Sequence, residues 1–594
     1  MKIYQSFRIF FTVACSLFAL FFVTSSIFYL LVTGENRLMF MGDDWMEIRY
    51  YVGTFNGKYS LFDVFGKVDS WAVHQQAITR ILTLFDIKFG DGTVSYAMWR
   101  AIFLQLGSAF LVSLAIFRVK NFDLITKIFL SATTCALFTS VRWLSHLFIA
   151  QHQSWSLTIF FALLTIFFLT KLEEDAKHKV KSIIWIILII LSGTSCLYSW
   201  GNGLLIFPLV FFLGYINKIH RTLPSWLLVV SSVIAVAIIG FYIPNMIIVS
   251  GDNVPFYKQP INTLYYFLQL LGDPASGGML GRKIGALVGA AILSLFLFVS
   301  YRYLITYKKL DKSQTILFGF VIFIIGSLAM TAIGRVGWLE GEEKLPPLRF
   351  EAIPLALLPA LFSLLFMEVK NYTRNRYIEI GTMLFIMCVT IPTVSLRRWN
   401  INELKQSLYY DDVGVGAISR IAVAIGAGSE RSLYGGPYFK DLIRPLLPEI
   451  EKYKIGPANW HETRWLGLKI NKDFNLSSDS CLGVISKIRQ FPDKDKPSLG
   501  FEGILKESAT TPDLVIMSDN QDTVIGLAIV ITPYKELLDY ILNKKGEMEF
   551  LGASLWKEGN NKITFWGLNK KNRNVCEIVL TEEPNFHPQH LSNR

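Results

Sequence analysis

Long apolar runs recur through the first two-thirds of the chain, most of them near twenty residues, with short polar segments between. They cover 9–32, 97–117, 124–141, 154–170, 182–199, 202–217, 225–249, 284–301, 315–334, 352–369 and 379–396. An α-helix rises about 1.5 Å per residue, so about 20 residues cross the roughly 30 Å apolar core of a bilayer. Inside lipid each segment must satisfy its own backbone polar groups, which makes these runs helices. The 594 residues are 52% hydrophobic and 18% charged, against about 25% charged in an average soluble domain. Disorder and an ordinary soluble enzyme are excluded. The expected fold is a polytopic α-helical membrane protein with about 11 transmembrane helices. The first run is too long for a signal peptide and no clear small-residue cleavage site follows it, so a retained anchor is expected.

Charge orients such a bundle. The segments 1–8, 118–127, 171–181, 217–224, 302–314 and 370–378 carry 18 Lys and Arg. The opposite segments, 33–96, 141–153, 200–201, 250–283 and 335–351, carry 13 over a greater length. Basic residues concentrate in cytoplasmic loops, so the N-terminus is expected inside, and an odd number of spans puts residues 397–594 outside. The net charge of +12 does not point to nucleic acid. From Arg397 onward 26 Lys and Arg face 25 Asp and Glu, so the excess sits between the apolar runs. No basic patch marks the folded part.

Two domains are expected: a transmembrane unit over 1–396 with a long first outer loop at 33–96, and an extracytoplasmic unit over 397–594. In the second, 397–477 has helical periodicity, with Glu403 to Tyr409, Ala417 to Ile425 and Tyr438 to Tyr453 as short helices. From 478 to 594 short alternating apolar runs such as Leu514 to Met517, Val524 to Ile531 and Lys562 to Trp566 alternate with turn clusters. That spacing predicts an α+β domain containing a β-sandwich. Four cysteines, Cys15, Cys135, Cys196 and Cys388, fall within the apolar runs. Cys481 and Cys576 fall in the outer domain, either as two buried thiols or as a disulfide formed in an oxidising compartment.

Several common sites are absent: no GxxxxGK[ST] phosphate loop, no strand-linked GxGxxG, no CxxC pair and no HExxH. This disfavours an ATP-driven pump or a nucleotide-sugar enzyme with a Rossmann core. The first outer loop opens with Met41-Gly-Asp-Asp-Trp-Met-Glu47. In adjacent carboxylates one can be raised by its neighbour and by partial burial, which suits a general base. A solvated turn at a helix start has the same composition. The loop continues with His74 and Arg80, which can meet an anionic ligand or simply cap and snorkel at the interface. The segment Gly334 to Glu351 sets Arg335 at the end of one run and Arg349 at the start of the next. Two guanidinium groups at one face suit a phosphate or pyrophosphate; interfacial anchoring is the plainer alternative. Arg142, His146, His152, Gln153, Tyr257, Lys258, Asp273, Arg282 and the hairpin Tyr198 to Gly203 are further candidates at that face. In the outer domain Asp411-Asp412, Trp460-His-Glu462 and Asp493-Lys-Asp495 offer weak metal motifs.

This layout resembles the membrane-embedded GT-C class of glycosyltransferases: a first span, a long outer loop opening on an acidic pair, a bundle with short loops and a C-terminal extracytoplasmic domain. The nearest pattern is that of bacterial multi-span proteins reading roughly His-x5-Arg-[Ile/Leu]-Leu-x3-Asp in the first loop, here His74 through Arg80-Ile-Leu to Asp86. They also carry an Asn-Gly-Leu hairpin, here Asn202-Gly-Leu204, and a Gly-Arg…Arg-[Phe/Tyr] loop, here Gly334-Arg335 to Arg349-Phe350. Phe350 stands where Tyr is the commoner choice. The serotype-converting O-antigen glucosyltransferases share the general design.

The resemblance implies an inverting transfer of a hexose or pentose from a polyprenyl-phosphate donor to a cell-surface glycan such as the O-antigen of lipopolysaccharide. The reaction would run at the outer face of a bacterial inner membrane. Asp43 or Asp44 would be the base, and Glu47, His74, Arg80, Arg282, Arg335 and Arg349 would bind substrate. No cofactor is assigned; metal dependence varies in the class, so a divalent metal stays open. The alternatives are a lipid-linked glycan polymerase or ligase, and a non-enzymatic glycolipid transporter or flippase. A transporter would need ionisable residues in mid-span or broken inverted repeats, and the spans hold almost no charge.

Overall fold

The computed structural model describes residues 2–34, 38, 47–65, 76–140, 153–243, 256–276, 281–306, 309–336, 352–372, 376–395, 416–426, 444–477, 480–491, 498–506, 512–530, 548–555 and 562–580. The helices are α1 (Lys2–Gly34), α2 (Ile48–Phe55), α3 (Ala77–Phe89), α4 (Ser95–Arg118), α5 (Leu124–Phe138), α6 (Gln153–Glu174), α7 (Lys179–Leu197), α8 (Ile206–Ile216), α9 (Ser225–Tyr242), α10 (Pro260–Ser276), α11 (Gly281–Thr306), α12 (Lys312–Arg335), α13 (Ala352–Tyr372), α14 (Arg376–Ser395), α15 (Gly416–Ala424) and α16 (Leu447–Lys452). Among the described residues nine of them, α1, α4, α6, α7, α9 and α11 to α14, are long and apolar enough to cross a membrane. The runs expected at 124–141 and 202–217 form shorter apolar helices, Leu124–Phe138 and Gly201–Ile216. The chain is therefore built as a multi-pass membrane protein.

Local signals set the helix starts. Asp123 caps α5 by accepting from the Thr126 N–H. Asp311 and Gln314 form a reciprocal capping box at the start of α12, which satisfies two of the helix's orphan donors. One stretch departs from expectation. Residues 250–283 read as a loop, yet 17 of them form α10, which packs along α11. Gly272 meets the backbone of Gly285 and Gly289, and Gly289 meets that of Leu268, so a Cβ at either position would collide with main chain. Small residues that let backbones approach are the usual adhesive between helices in lipid.

The ends of the bundle separate by chemistry. At one end Arg8 meets Asp123, Lys370 meets Asp123, Arg302 meets Glu368, Lys309 meets Glu173 and Lys312 meets Glu174. These contacts join all six segments singled out by their basic residues, with Asn217 donating to Glu173 and to Thr315. We call this the lysine-rich end. The described segments 47–65, 76–95 and 198–205 gather at the other, the loop end, together with the C-terminal domain.

Among the described residues that domain holds eight strands: β1 (Asn475–Leu476), β2 (Cys481–Phe491), β3 (Ser498–Leu505), β4 (Leu514–Ser518), β5 (Val524–Val530), β6 (Met548–Leu555), β7 (Thr564–Asn569) and β8 (Asn574–Leu580). The expected sandwich is replaced by one closed sheet. Its order is β8-β2-β3-β6-β5-β4-β7, and β7 pairs back onto β8. The ring closes because β8 has partners on both sides, β7 antiparallel and the β1 and β2 segments parallel. Closure removes the free edge that an open sheet must protect. Alternate residues fill the interior, among them Phe501, Val515, Met517, Phe550 and Phe565. The opposite set, including Leu514, Ile516, Leu527 and Ile529, joins the apolar core that runs on into the helices. Cys481 and Cys576 form a disulfide across the parallel seam, 5.6 Å between Cα atoms.

Candidate functional site

Asp43 and Asp44 lie outside the described residues, but Glu47, the last residue of their run, opens α2 and is buried. Its carboxylate accepts from Arg80 of α3 twice, Nε to Oε2 at 2.8 Å and Nη2 to Oε1 at 3.1 Å. Side-chain exposure is 3% for Arg80 and 1% for Glu47. Burial opposes the charge on Arg80, and Glu47 more than offsets it, so the guanidinium pKa lies above its ordinary value. The guanidinium also stands 5.7 Å from the Tyr50 ring, whose phenol is pushed up mainly by burial. The sequence offered Glu47 and Arg80 as separate ligand-binding groups. Here each is the other's partner, and the pair ties the end of the acidic run to α3. Two buried opposite charges fix geometry, because removing either takes the counter-charge from the other in a dry site.

A second fork lies on the same helix. Asp86, the final residue of the first-loop motif, accepts from Arg100 Nη1 and Nη2, both at 2.8 Å. Arg100 Nε donates to Gln153 Oε1 at 2.7 Å, and Gln153 Nε2 donates to the Ala97 carbonyl at 2.8 Å. Burial raises the Asp86 pKa further than Arg100 lowers it. This clamp joins α3, α4 and α6. Sequence reading missed Arg100, which is hidden at the start of an apolar run. Its signal was the charge inside an otherwise apolar span.

The Tyr198 to Leu204 hairpin leans on the same scaffold. The Ile78 N–H donates to the Tyr198 carbonyl at 3.2 Å. Aromatic rings continue the contact, Phe65 to Tyr198 at 5.1 Å, Tyr198 to Tyr242 at 5.3 Å and Trp155 to Trp200 at 4.7 Å. Asn202 Nδ2 donates to the Ser327 carbonyl and to Thr331 Oγ1, both at 3.1 Å. Thr331 lies one helical turn before Arg335, which is half-buried at the end of α12. The Asn-Gly-Leu and Gly-Arg motifs, 131 residues apart by Leu204 and Arg335, therefore sit on adjoining elements. Arg282 lies in the first turn of α11, its side chain outside the described residues. His74, Arg349, Arg142, His146 and His152 also lie outside them.

The C-terminal domain sits against the first loop. Asn459 Nδ2 donates to the Gly90 carbonyl at 2.8 Å and Asn56 Nδ2 to Glu449 Oε2 at 2.9 Å. Gly92 has φ +80°, and a Cβ there would stand 2.6 Å from the Gly456 carbonyl oxygen and 2.7 Å from the Trp460 nitrogen. Only glycine meets both demands. The Trp460-His-Glu462 motif is structural. Glu462 is buried and accepts from Trp465 Nε1 at 2.7 Å and from Lys570 at 2.6 Å, and His461 pairs with Arg464. Asp411, Asp412, Asp493 and Asp495 lie outside the described residues.

Among the described residues no group of three or more His, Cys, Asp and Glu is arranged to hold a metal ion. No family model matches this chain, and neither a curated protein nor a solved structure is significantly similar to it.

Proposed function

We propose that the protein is an inverting glycosyltransferase of the GT-C kind, moving a sugar from a polyprenyl-phosphate carrier to a cell-surface glycan at the loop end of the bundle. One observation carries this reading. The buried Glu47–Arg80 pair fixes Glu47, the last residue of the acidic run, to α3, at the same end as the Asn202–Thr331 contact and the contacts of the C-terminal domain with the first loop. Catalytic groups held by buried, mutually satisfied charges keep the geometry that transfer requires. In this reading α5 and the 201–216 segment also cross the membrane. Eleven crossings put the lysine-rich end in the cytoplasm of a bacterial inner membrane and the C-terminal domain outside. Its disulfide suits an oxidising compartment.

Asp43 or Asp44 deprotonates the acceptor hydroxyl. That oxygen bonds to the anomeric carbon as the bond to the lipid phosphate breaks, which inverts the centre. Arg335, Arg349 and Arg282 stabilise the charge growing on the leaving phosphate in a low-dielectric cleft. Glu47 and Arg80 act as positioning residues. The carrier already activates the sugar, so no nucleotide site is needed. A transporter is disfavoured because the ion pairs among the described residues lie within about two turns of helix ends.

The test compares surface glycans from cells expressing wild type, Asp43→Asn and Asp44→Asn at matched levels, by intact mass and linkage analysis. The expected result is one added hexose or pentose with wild type and its loss in one variant, which identifies the base. Identical glycans with accumulating lipid-linked intermediates would overturn the proposal in favour of transport.

A further inference from the structure

An apolar crevice opens between α6, α7, α8 and α9 toward the lysine-rich end. Its volume is about 320 Å³, within the range of small-ligand pockets. Leu172, Ile189, Val210, Phe211, Tyr215 and Leu228 supply much of the wall. Gly214 of α8 forms part of it, and a Cβ added there meets nothing within 4 Å. Glycine inside a helix is a weaker helix former than alanine, and here it leaves the crevice open.

The mouth is basic. The connection from α8 to α9 turns through Lys218, which takes a left-handed φ of +58°, into a short helical turn Ile219–Arg221. Lys218, His220 and Arg221 are exposed. His220 also lines the crevice and stacks on Tyr215, 5.3 Å between ring centroids. The neighbouring carboxylates are already engaged: Glu173 by Lys309, Glu174 by Lys171 and Lys312, Asp175 by Lys181. No carboxylate among the described residues pairs with Lys218 or Arg221. The N-terminal ends of α7 and α9, positive by their helix dipoles, open at this same end.

We propose that this crevice binds an anionic glycerophospholipid from the adjacent leaflet. One acyl chain occupies the apolar space and the phosphate lies against Lys218, His220 and Arg221. Apolar depth and unpaired positive charge at membrane level match the two halves of that molecule, and basic pockets between membrane helices are recurrent headgroup sites. The site is separate from the loop end, so it stands whether or not the proposed transfer does.

Native mass spectrometry of the purified full-length protein tests it, with phosphatidylglycerol, phosphatidylcholine of the same chains, and a polyprenyl phosphate each added in turn. Wild type should retain one phosphatidylglycerol. Lys218→Asn/Arg221→Gln should narrow the preference over phosphatidylcholine by about five-fold per basic residue removed. Asparagine tolerates the left-handed backbone at 218. Gly214→Leu should lose the adduct without loss of thermal stability. Equal retention of the two phospholipids by wild type would overturn the proposal, as would an adduct that survives Gly214→Leu. Preferential retention of the polyprenyl phosphate, lost in Gly214→Leu, would reassign the crevice to a carrier lipid. Should Gly214→Leu fail to fold, the exposed double variant decides alone.

Discussion

Both ends of the bundle are fastened by ion pairs, yet at the lysine-rich end each pair keeps one partner at least 23% exposed, even where the other is buried as Arg8 and Glu368 are, while at the loop end both partners of each pair are buried or nearly so. At the lysine-rich end Lys309 and Lys312 reach Glu173 and Glu174 with lysine side chains 53% and 46% exposed. At the loop end Arg80 and Glu47 are almost wholly buried, and Asp86 and Arg100 nearly so. Exposed pairs contribute little to stability, about 0–1 kcal/mol each, but their lysines record which side of a membrane they occupy. Buried pairs carry a desolvation cost and in exchange fix two elements in one register. One end is built for orientation and the other for precision. Precision at the loop end is what places the proposed chemistry there.

The largest contrast should come from splitting the buried pair. Glu47→Gln or Arg80→Met alone should destabilise the protein by about 3–5 kcal/mol, because each takes the opposite charge away from a buried ion. The double variant Glu47→Leu/Arg80→Met should recover most of that loss. Unfolding in detergent measures both, and a double variant no better than the singles would remove the argument for mutual satisfaction.

The two ends should also respond to acid with opposite sign. Asp86 is raised because burial outweighs Arg100. Its carboxylate therefore costs stability at neutral pH, and that cost is relieved as pH falls through its folded pKa. Asp123 is depressed well below the usual range: burial opposes the shift, and hydrogen bonds from Arg8 and Thr126 overcome it. Its contribution is full above the unfolded value of about 3.9 and fades as pH falls further. On acidification wild type should gain stability relative to Asp86→Asn and, below about pH 4, lose it relative to Asp123→Asn. Parallel pH profiles for the two variants would dissolve the distinction. The smallest effect belongs to the exposed lysines, where Lys309→Ala and Lys312→Ala should each stay within about 1 kcal/mol of wild type.

Much of this architecture was legible because membrane helices announce themselves locally. Each apolar run became a helix, including the two that fall short of full membrane length. α10 escaped because Asn262, Gln269 and Asp273 interrupt its apolar pattern, while its hold on the bundle comes from a glycine approach that only the fold reveals. The strands near Leu514, Val524 and Lys562 were visible as alternation. The closure of the sheet was not, since it depends on β8 finding partners about 95 residues earlier in the chain. At the candidate site residue types pointed to charge but not to its use. Glu47 and Arg80 suggested ligand contacts, and the structure pairs them with each other across 33 positions; Asp86, which only closed the first-loop motif, pairs with an arginine hidden in an apolar run.

The central claim is that the buried pair at the loop end holds the parts of a sugar-transfer site. The direct measurement is release of polyprenyl phosphate from a polyprenyl-phosphate sugar by purified protein supplied with its glycan acceptor. It compares wild type with the folded double variant Glu47→Leu/Arg80→Met. The account predicts turnover by wild type and a loss of about 100-fold in the double variant, the penalty expected when catalytic groups shift by about an ångström. Full turnover by a double variant that has lost the pair would contradict it.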